Sequence, residues 1–163
     1  MVMPRYIKGD LFTHRGKGVT ILAHACNPFG LWGGGIAAQF RKRFPYANEL
    51  YAEHCLKNRQ GLLGSCLLVP ANDPSDFSET GPLIACLFTS DFETPEAKIL
   101  EHTELSIKSL AQQLESIPQV EKLNGVPLVN MPQINSGIFN VPWERTEAIL
   151  DENRQLLFNV YTL

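Results

Sequence analysis

Short apolar runs alternate along the chain with longer stretches in which apolar residues recur every three or four positions. The runs at Arg5–Lys8, Val19–Ala25, Gly64–Val69, Leu83–Thr89, Val126–Met131 and Leu157–Leu163 read as strands. Between them the spacing predicts helices over Gly35–Phe44, Tyr46–Asn58, Pro95–Ser116 and Pro142–Arg154. The third is the clearest. Thr94 is its expected cap, Pro95 suits its first turn, and Ile99, Leu100, Thr103, Ile107, Leu110, Ala111 and Leu114 form one apolar stripe. Pro70–Pro82 is polar and turn-rich, so it reads as a surface loop between two strands. Strands alternating with helices predict an α/β layered fold with a parallel or mixed sheet, as one domain over residues 1–163. In such sheets ligands bind at the carboxyl ends of the strands.

Two connections lie at such ends and share one logic. The run His24–Ala37 (HACNPFGLWGGGIA) follows the second strand and leads into a helix. Its glycines permit positive φ or a close backbone approach, and the helix start offers unpaired N–H groups and a positive dipole end. The natural guest is an anion, most often a phosphate; the bland alternative is a tight turn with no ligand. The run Pro132–Asn140 (PQINSGIFN) follows the fifth expected strand and precedes a helix opened by Pro142. Two such loops can grip opposite faces of one diphosphate. Phe139, a large apolar residue in a polar loop, reads equally as a sugar or base contact and as an anchor for the loop.

Composition narrows the guest. A chain of 163 residues that is 44% hydrophobic and 19% charged, with net charge −3, has no basic field for nucleic acid. Phosphate recognition must then be local. The basic cluster Arg41-Lys42-Arg43 reads as a solvated helix face. The cysteines at 26, 55, 66 and 86 have no CxxC spacing, which suits free thiols in a reducing compartment and gives no zinc pattern. No apolar run is long enough to span a membrane, and MVMPRYIKGD has no targeting character. The expected setting is intracellular, cytoplasmic or nuclear, and the expected state a monomer.

Familiar catalytic signatures are missing. The glycine run is neither GxGxxG nor a P-loop, no Cys has an Arg six positions on, and no Asp-x-Asp follows a strand. HxH, HExxH and GxSxG are absent, so no metal and no serine nucleophile is expected. His54 falls on an apolar helix face and reads as a core residue, whereas His14 and His102 read as surface residues. The polar residues left at the loops are Asp10, His24, Asn27, Asn135, Ser136 and Asn140. His24 suits a proton shuttle or, as readily, a buried histidine bonded to backbone. Asn27 can orient a hydroxyl or a water. Asp10 is either an acceptor for a base's exocyclic amine or a plain turn aspartate. Catalysis without a strong nucleophile rests on positioning and on activated water.

Together YIKGDLF, HACNPFGLWGGGIA, MPQINSGIF followed by VPWE, and the final VYTL resemble a macrodomain, and most closely the small fungal macrodomains with ADP-ribose 1''-phosphate phosphatase activity. The resemblance runs from near the first residue to the last. It implies a three-layer α/β/α fold with a mixed, roughly six-stranded sheet, and ADP-ribose as ligand. It places Gly9, Asp10 and Leu11 on the adenine, with Asp10 accepting from the amino group. Ala25, Cys26 and Asn27 would line the distal ribose. Trp32, Gly33, Gly34, Gly35, Ile36 and Ala37 would wrap the diphosphate and the distal end. Gln133, Ile134, Asn135, Ser136, Gly137, Ile138 and Phe139 would form the second phosphate loop, with Phe139 against the distal ribose. Tyr161 and Leu163 would lie near the adenosine.

The implied activity is hydrolysis of ADP-ribose 1''-phosphate without a metal or cofactor, with His24 and Asn27 handling the proton and the water. The alternatives are an ADP-ribose-binding module and a protein mono-ADP-ribosyl hydrolase. The chain departs from the macrodomain that removes ADP-ribose from glutamate. Ser90 and Phe139 stand where that relative has its lysine and aspartate, so the resemblance does not extend to a lysyl-adduct mechanism. The Asn-Asn-Asp arrangement of the larger de-ADP-ribosylating macrodomains is also missing.

Overall fold

Alternate residues along each strand point to opposite faces of one sheet, and a pair of helices covers each face. The computed structural model describes residues 4–59, 61–75 and 81–163. Its elements follow in the order β1 (Arg5–Lys8), β2 (Ile21–Cys26), α1 (Gly35–Arg43), α2 (Pro45–Lys57), β3 (Cys66–Pro70), β4 (Leu83–Phe88), α3 (Glu96–Leu114), β5 (Lys122–Leu123), β6 (Val126–Met131), α4 (Trp143–Glu152) and β7 (Leu157–Thr162). The sheet runs β1-β7-β6-β2-β4-β3, with β5 pairing β6 off that path. Pairs along the path are parallel except β3 with β4, so the sheet is mixed.

Ile21 and Ala23 of β2 and Ala85 and Leu87 of β4 face α3 and α4, where Ile107, Leu110 and Leu150 meet them. Leu22 and Cys26, with Ile84, Cys86 and Phe88, face α1 and α2 and bury Phe40, Ala47 and Tyr51. Burying each of the larger side chains contributes about 1.5–3 kcal/mol. These two cores are the outer contacts of a three-layer α/β/α fold. Pro45 separates α1 from α2, ending one and supplying the first turn of the other.

The sheet has one strand more than expected. The addition is β5, half of a hairpin closed by Asn124 and Gly125 with φ of 53° and 79°. Positive φ at both central positions is the turn that Asn-Gly favours. Val19, expected within the second strand, makes only an isolated bridge to Val120. Thr94 does not cap α3: it accepts from the Asp91 N–H at 3.1 Å and donates to the Asp91 carboxylate at 2.6 Å, which leaves Pro95 at the helix start. Of the loop expected at 70–82, residues 76–80 lie outside the described residues, and Pro70 belongs to β3.

Candidate functional site

The β2–α1 and β6–α4 connections meet at one edge of the sheet and enclose a cleft of about 510 Å³. A second cleft of about 570 Å³, walled by the residues after β1 and the end of β7, shares Ile36, Pro132 and Gln133 with it. The two are arms of one groove, hinged where α1 begins.

At that hinge Gly34 precedes α1 with no side-chain cap. The first N–H groups of a helix have no intrahelical partner. Here those of Gly35, Ile36 and Ala37 find no acceptor among the described residues. Gly35 has φ of 56°, which an L side chain resists. Across the groove the N–H groups of Gly137, Ile138 and Phe139 likewise find no acceptor among the described residues. Six unpartnered donors thus belong to residues that line the groove, and those at the helix start carry partial positive charge.

Two asparagines build the loops that carry these donors. The Asn27 carboxamide donates to the Leu31 carbonyl at 2.7 Å and accepts from the Phe29 N–H at 2.9 Å and the Tyr51 hydroxyl at 3.1 Å. It pins the chain that leads to the glycines while still lining the first arm. Asn135, with φ of 67°, accepts from the Thr89 hydroxyl at 2.8 Å and donates to Thr103 at 2.9 Å and Thr146 at 3.4 Å. It ties the second loop to β4, α3 and α4 at once.

Ala25, Asn27, Gly33, Gly34, Gly35, Ile36 and Ala37 line the first arm with Gln133, Ile134, Asn135, Gly137, Ile138 and Phe139. Gly9, Asp10, Leu11, Tyr161 and Leu163 line the second. Five expected residues line neither arm, and Asn140, with φ of 58°, is one. Trp32 is buried with its ring stacked on Tyr51 at 4.8 Å, and Cys26, the last residue of β2, is buried on the face that meets α1 and α2. Ser136 has a buried Oγ without a partner. His24 is 0% exposed and lies parallel to Phe40 at 4.0 Å, because its position on β2 points it into the α1–α2 core. Both its ring nitrogens face the Cys26 sulfur, at 3.6 and 3.8 Å, rather than backbone.

That sulfur sits in a cluster that sequence spacing did not reveal. Ligating atoms of His24, Cys26 and Cys86 lie within 4.8 Å of one another. They converge because β4 lies beside β2 with Cys86 in register with His24. Burial pushes the Cys26 thiol up, but Cys86 and His24 outweigh it and hold Cys26 below the ordinary thiol range. Burial and the hydrogen bond to Cys26 keep Cys86 protonated.

The second arm changes three expectations. Asp10 Oδ1 accepts from the Phe12 N–H at 2.9 Å, so this aspartate does cap a turn, Leu11–Thr13. Its Oδ2 lies 3.8 Å from Arg43, which also stacks over Phe12 at 4.6 Å. Arg43 therefore lines the groove instead of lying on a wholly solvated face. His14 is not a surface residue. Its side chain is 9% exposed and bridges the Tyr161 hydroxyl at 2.8 Å and the Glu121 carboxylate at 2.9 Å. Burial and the Glu121 charge raise the Tyr161 phenol above its ordinary value.

Leu31, Phe92 and Pro132 line the first arm, and Phe12, Gln39 and Thr162 the second, without having been expected. Among the described residues, the lining of the first arm holds no carboxylate, imidazole, thiol or amine. Its chemistry is that of backbone dipoles, the three carboxamides of Asn27, Gln133 and Asn135, and apolar walls.

The model of the Macro domain family matches residues 23–150. A protein of Lodderomyces elongisporus named ADP-ribose 1''-phosphate phosphatase is 52% identical, with 98% of each chain covered. One of Candida albicans with the same name is 51% identical over 99% of this chain and all of its own length. Among solved structures, the macrodomain of Mycobacterium tuberculosis DarG superposes with a TM-score of 0.74 over 100% of this chain and 99% of that one, at 20% identity.

Proposed function

The chain belongs to the macrodomain family, and on that footing we propose that it is an ADP-ribose 1''-phosphate phosphatase, cleaving the terminal monoester to ADP-ribose and inorganic phosphate. The observation that carries the reading is the uncapped start of α1 at the hinge of the groove, opposite the Gly137–Phe139 donors. A diphosphate placed there sends adenosine into the arm of Asp10 and Tyr161. Its second ribose, with the 1''-phosphate, enters the arm of Asn27 and Phe139.

Water attacks phosphorus, the bond to the anomeric oxygen breaks, and that oxygen leaves as the hydroxyl of ADP-ribose. Such transfers pass through a loose transition state, so positioning and donor dipoles carry most of the catalysis. N–H groups at the glycine run supply the dipoles. Asn27 keeps one amide hydrogen beyond its bond to Leu31, which suits it to orient the attacking water. His24, buried behind the strand, serves by holding Phe40 and Trp32 beneath the loop. The proton is handled by solvent or by the substrate's own phosphate, since the first arm offers no titratable side chain among the described residues.

The proposal includes hydrolysis without a metal, action as a monomer, and an intracellular setting, which the four free cysteines suit. Phosphate release from ADP-ribose 1''-phosphate, measured with EDTA present, tests it. Turnover that persists under chelation supports the reading; tight product binding with no phosphate released overturns it in favour of a binding module.

A further inference from the structure

Phe92 is held by its loop in a conformation that a bulky L-residue avoids. Its φ is 74°, in the left-handed region that favours glycine. Three hydrogen bonds in the loop enforce it. The buried Ser90 hydroxyl accepts from the Phe92 N–H at 3.1 Å. The Asp91 carboxylate accepts from the Glu93 N–H at 3.0 Å and the Thr94 hydroxyl at 2.6 Å. The ring so placed is 50% exposed, so core burial does not account for the arrangement. It lines the first arm, edge-on to Phe139 at 5.8 Å and parallel to Phe29 at 6.0 Å. Strained backbone held by its surroundings concentrates at ligand sites.

We propose that Phe92 is a specificity-determining residue of the distal arm, forming with Phe139 a two-ring wall against which the second ribose of an ADP-ribose-type ligand packs. The inference rests on the proposed function. The two rings come from separate connections, β4–α3 and β6–α4, and meet edge to face, so each holds the other in place. Aromatic faces suit the C–H faces of a sugar and are poor partners for phosphate, whose charge the backbone donors meet instead. The wall selects ligands that carry a second ribose over those that end at the diphosphate.

Calorimetry with ADP-ribose and with ADP on wild type, Phe92→Ala and Phe92→Gly tests this. Both variants are expected to lose about three- to tenfold in affinity for ADP-ribose while ADP binding stays within about twofold. Phe92→Gly is expected to melt no lower than wild type, because it relieves the backbone, so its loss of affinity is not a loss of fold. Phe92→Tyr is expected to restore ADP-ribose affinity. Unchanged ADP-ribose binding in both variants, or equal losses for ADP and ADP-ribose, overturns the inference. Wild type that binds neither ligand overturns the proposed function itself, and the wall's role with it.

Discussion

Asn135 combines a left-handed backbone with a carboxamide that satisfies hydroxyls on three other segments. Few residues do both, since asparagine tolerates positive φ and offers a donor and an acceptor together. Asn135→Ala strains the backbone and orphans buried hydroxyls, and is expected to cost about 2–4 kcal/mol in urea unfolding. Asn135→Gly, which adopts the positive φ without strain and leaves only the orphaned hydroxyls, is expected to cost less. Asp91 gives a pH dependence of definite sign. The Thr94 hydroxyl, then the Glu93 N–H, hold its carboxyl below the ordinary aspartate value. Its contribution is therefore fully present above about pH 4 and lost as pH falls through the lower folded value. Protection of the Glu93 amide, measured by NMR as its exchange rate relative to the intrinsic rate at each pH, is expected to fall on that descent. At this scale the sequence located Asn27 and Asn135 but not their work. Carboxamides beside a groove read as ligand contacts, and only the partner distances reveal that they hold loops. His24 illustrates the complementary limit. A residue one step from the end of a strand faces either the groove or the core according to parity, and the expected end of β2, at Ala25, lay one residue short of Cys26. Phe92 had no signal at all, because nothing in its side chain announces a positive φ.

The start of α1 is the element on which binding depends, and its glycines separate strain from space. Gly33 has no positive φ, and a Cβ there meets nothing within 4 Å. Gly33→Ala is thus expected to leave the melting temperature unchanged and to weaken ADP-ribose binding by about tenfold or more, by filling room the ligand needs. Gly35 has equal room but φ of 56°, so Gly35→Ala is expected to lower stability by about 1–2 kcal/mol besides weakening binding. Thermal melts paired with calorimetry distinguish the two. Elements were the most legible level in the sequence. β1 and β6 match their expected bounds, and the four helices agree to within two residues at each end. Apolar periodicity decides such elements, because burial on a defined face drives them. The hairpin arm β5 escaped because two residues show no period, although its Asn124-Gly125 turn was in plain view. Thr94 misled because a threonine before a proline resembles a cap, while Asp91 upstream competes for the same hydroxyl.

Across the whole molecule, the proposed function assigns anion recognition to backbone dipoles on a protein of net charge −3. Affinity for ADP-ribose is therefore expected to change by less than about threefold between 0.05 and 0.5 M sodium chloride, since screening acts mainly on exposed charges. A titration series in salt checks it, and a steep decline would assign binding to Arg43 and its neighbours instead. The layered architecture was legible as a whole because alternation of element types leaves few alternatives. Which loops become neighbours was not, since it follows from the order of strands in the sheet. That order has a temporal side. The arm of Asp10 and Tyr161 joins residues just after β1 to residues at the end of β7, and β1 pairs with β7 directly. Of all the strands, β7 is the last to leave the ribosome, and β1 must wait for it at the sheet edge. A nascent chain can assemble β2, β3, β4 and α1, with the glycine run in place, yet has no nucleotide arm until translation has passed Thr162. Ligand-dependent protection from protease should consequently appear abruptly during synthesis, once β7 has emerged and paired with β1, making nucleotide capture a report on closure of that strand pair.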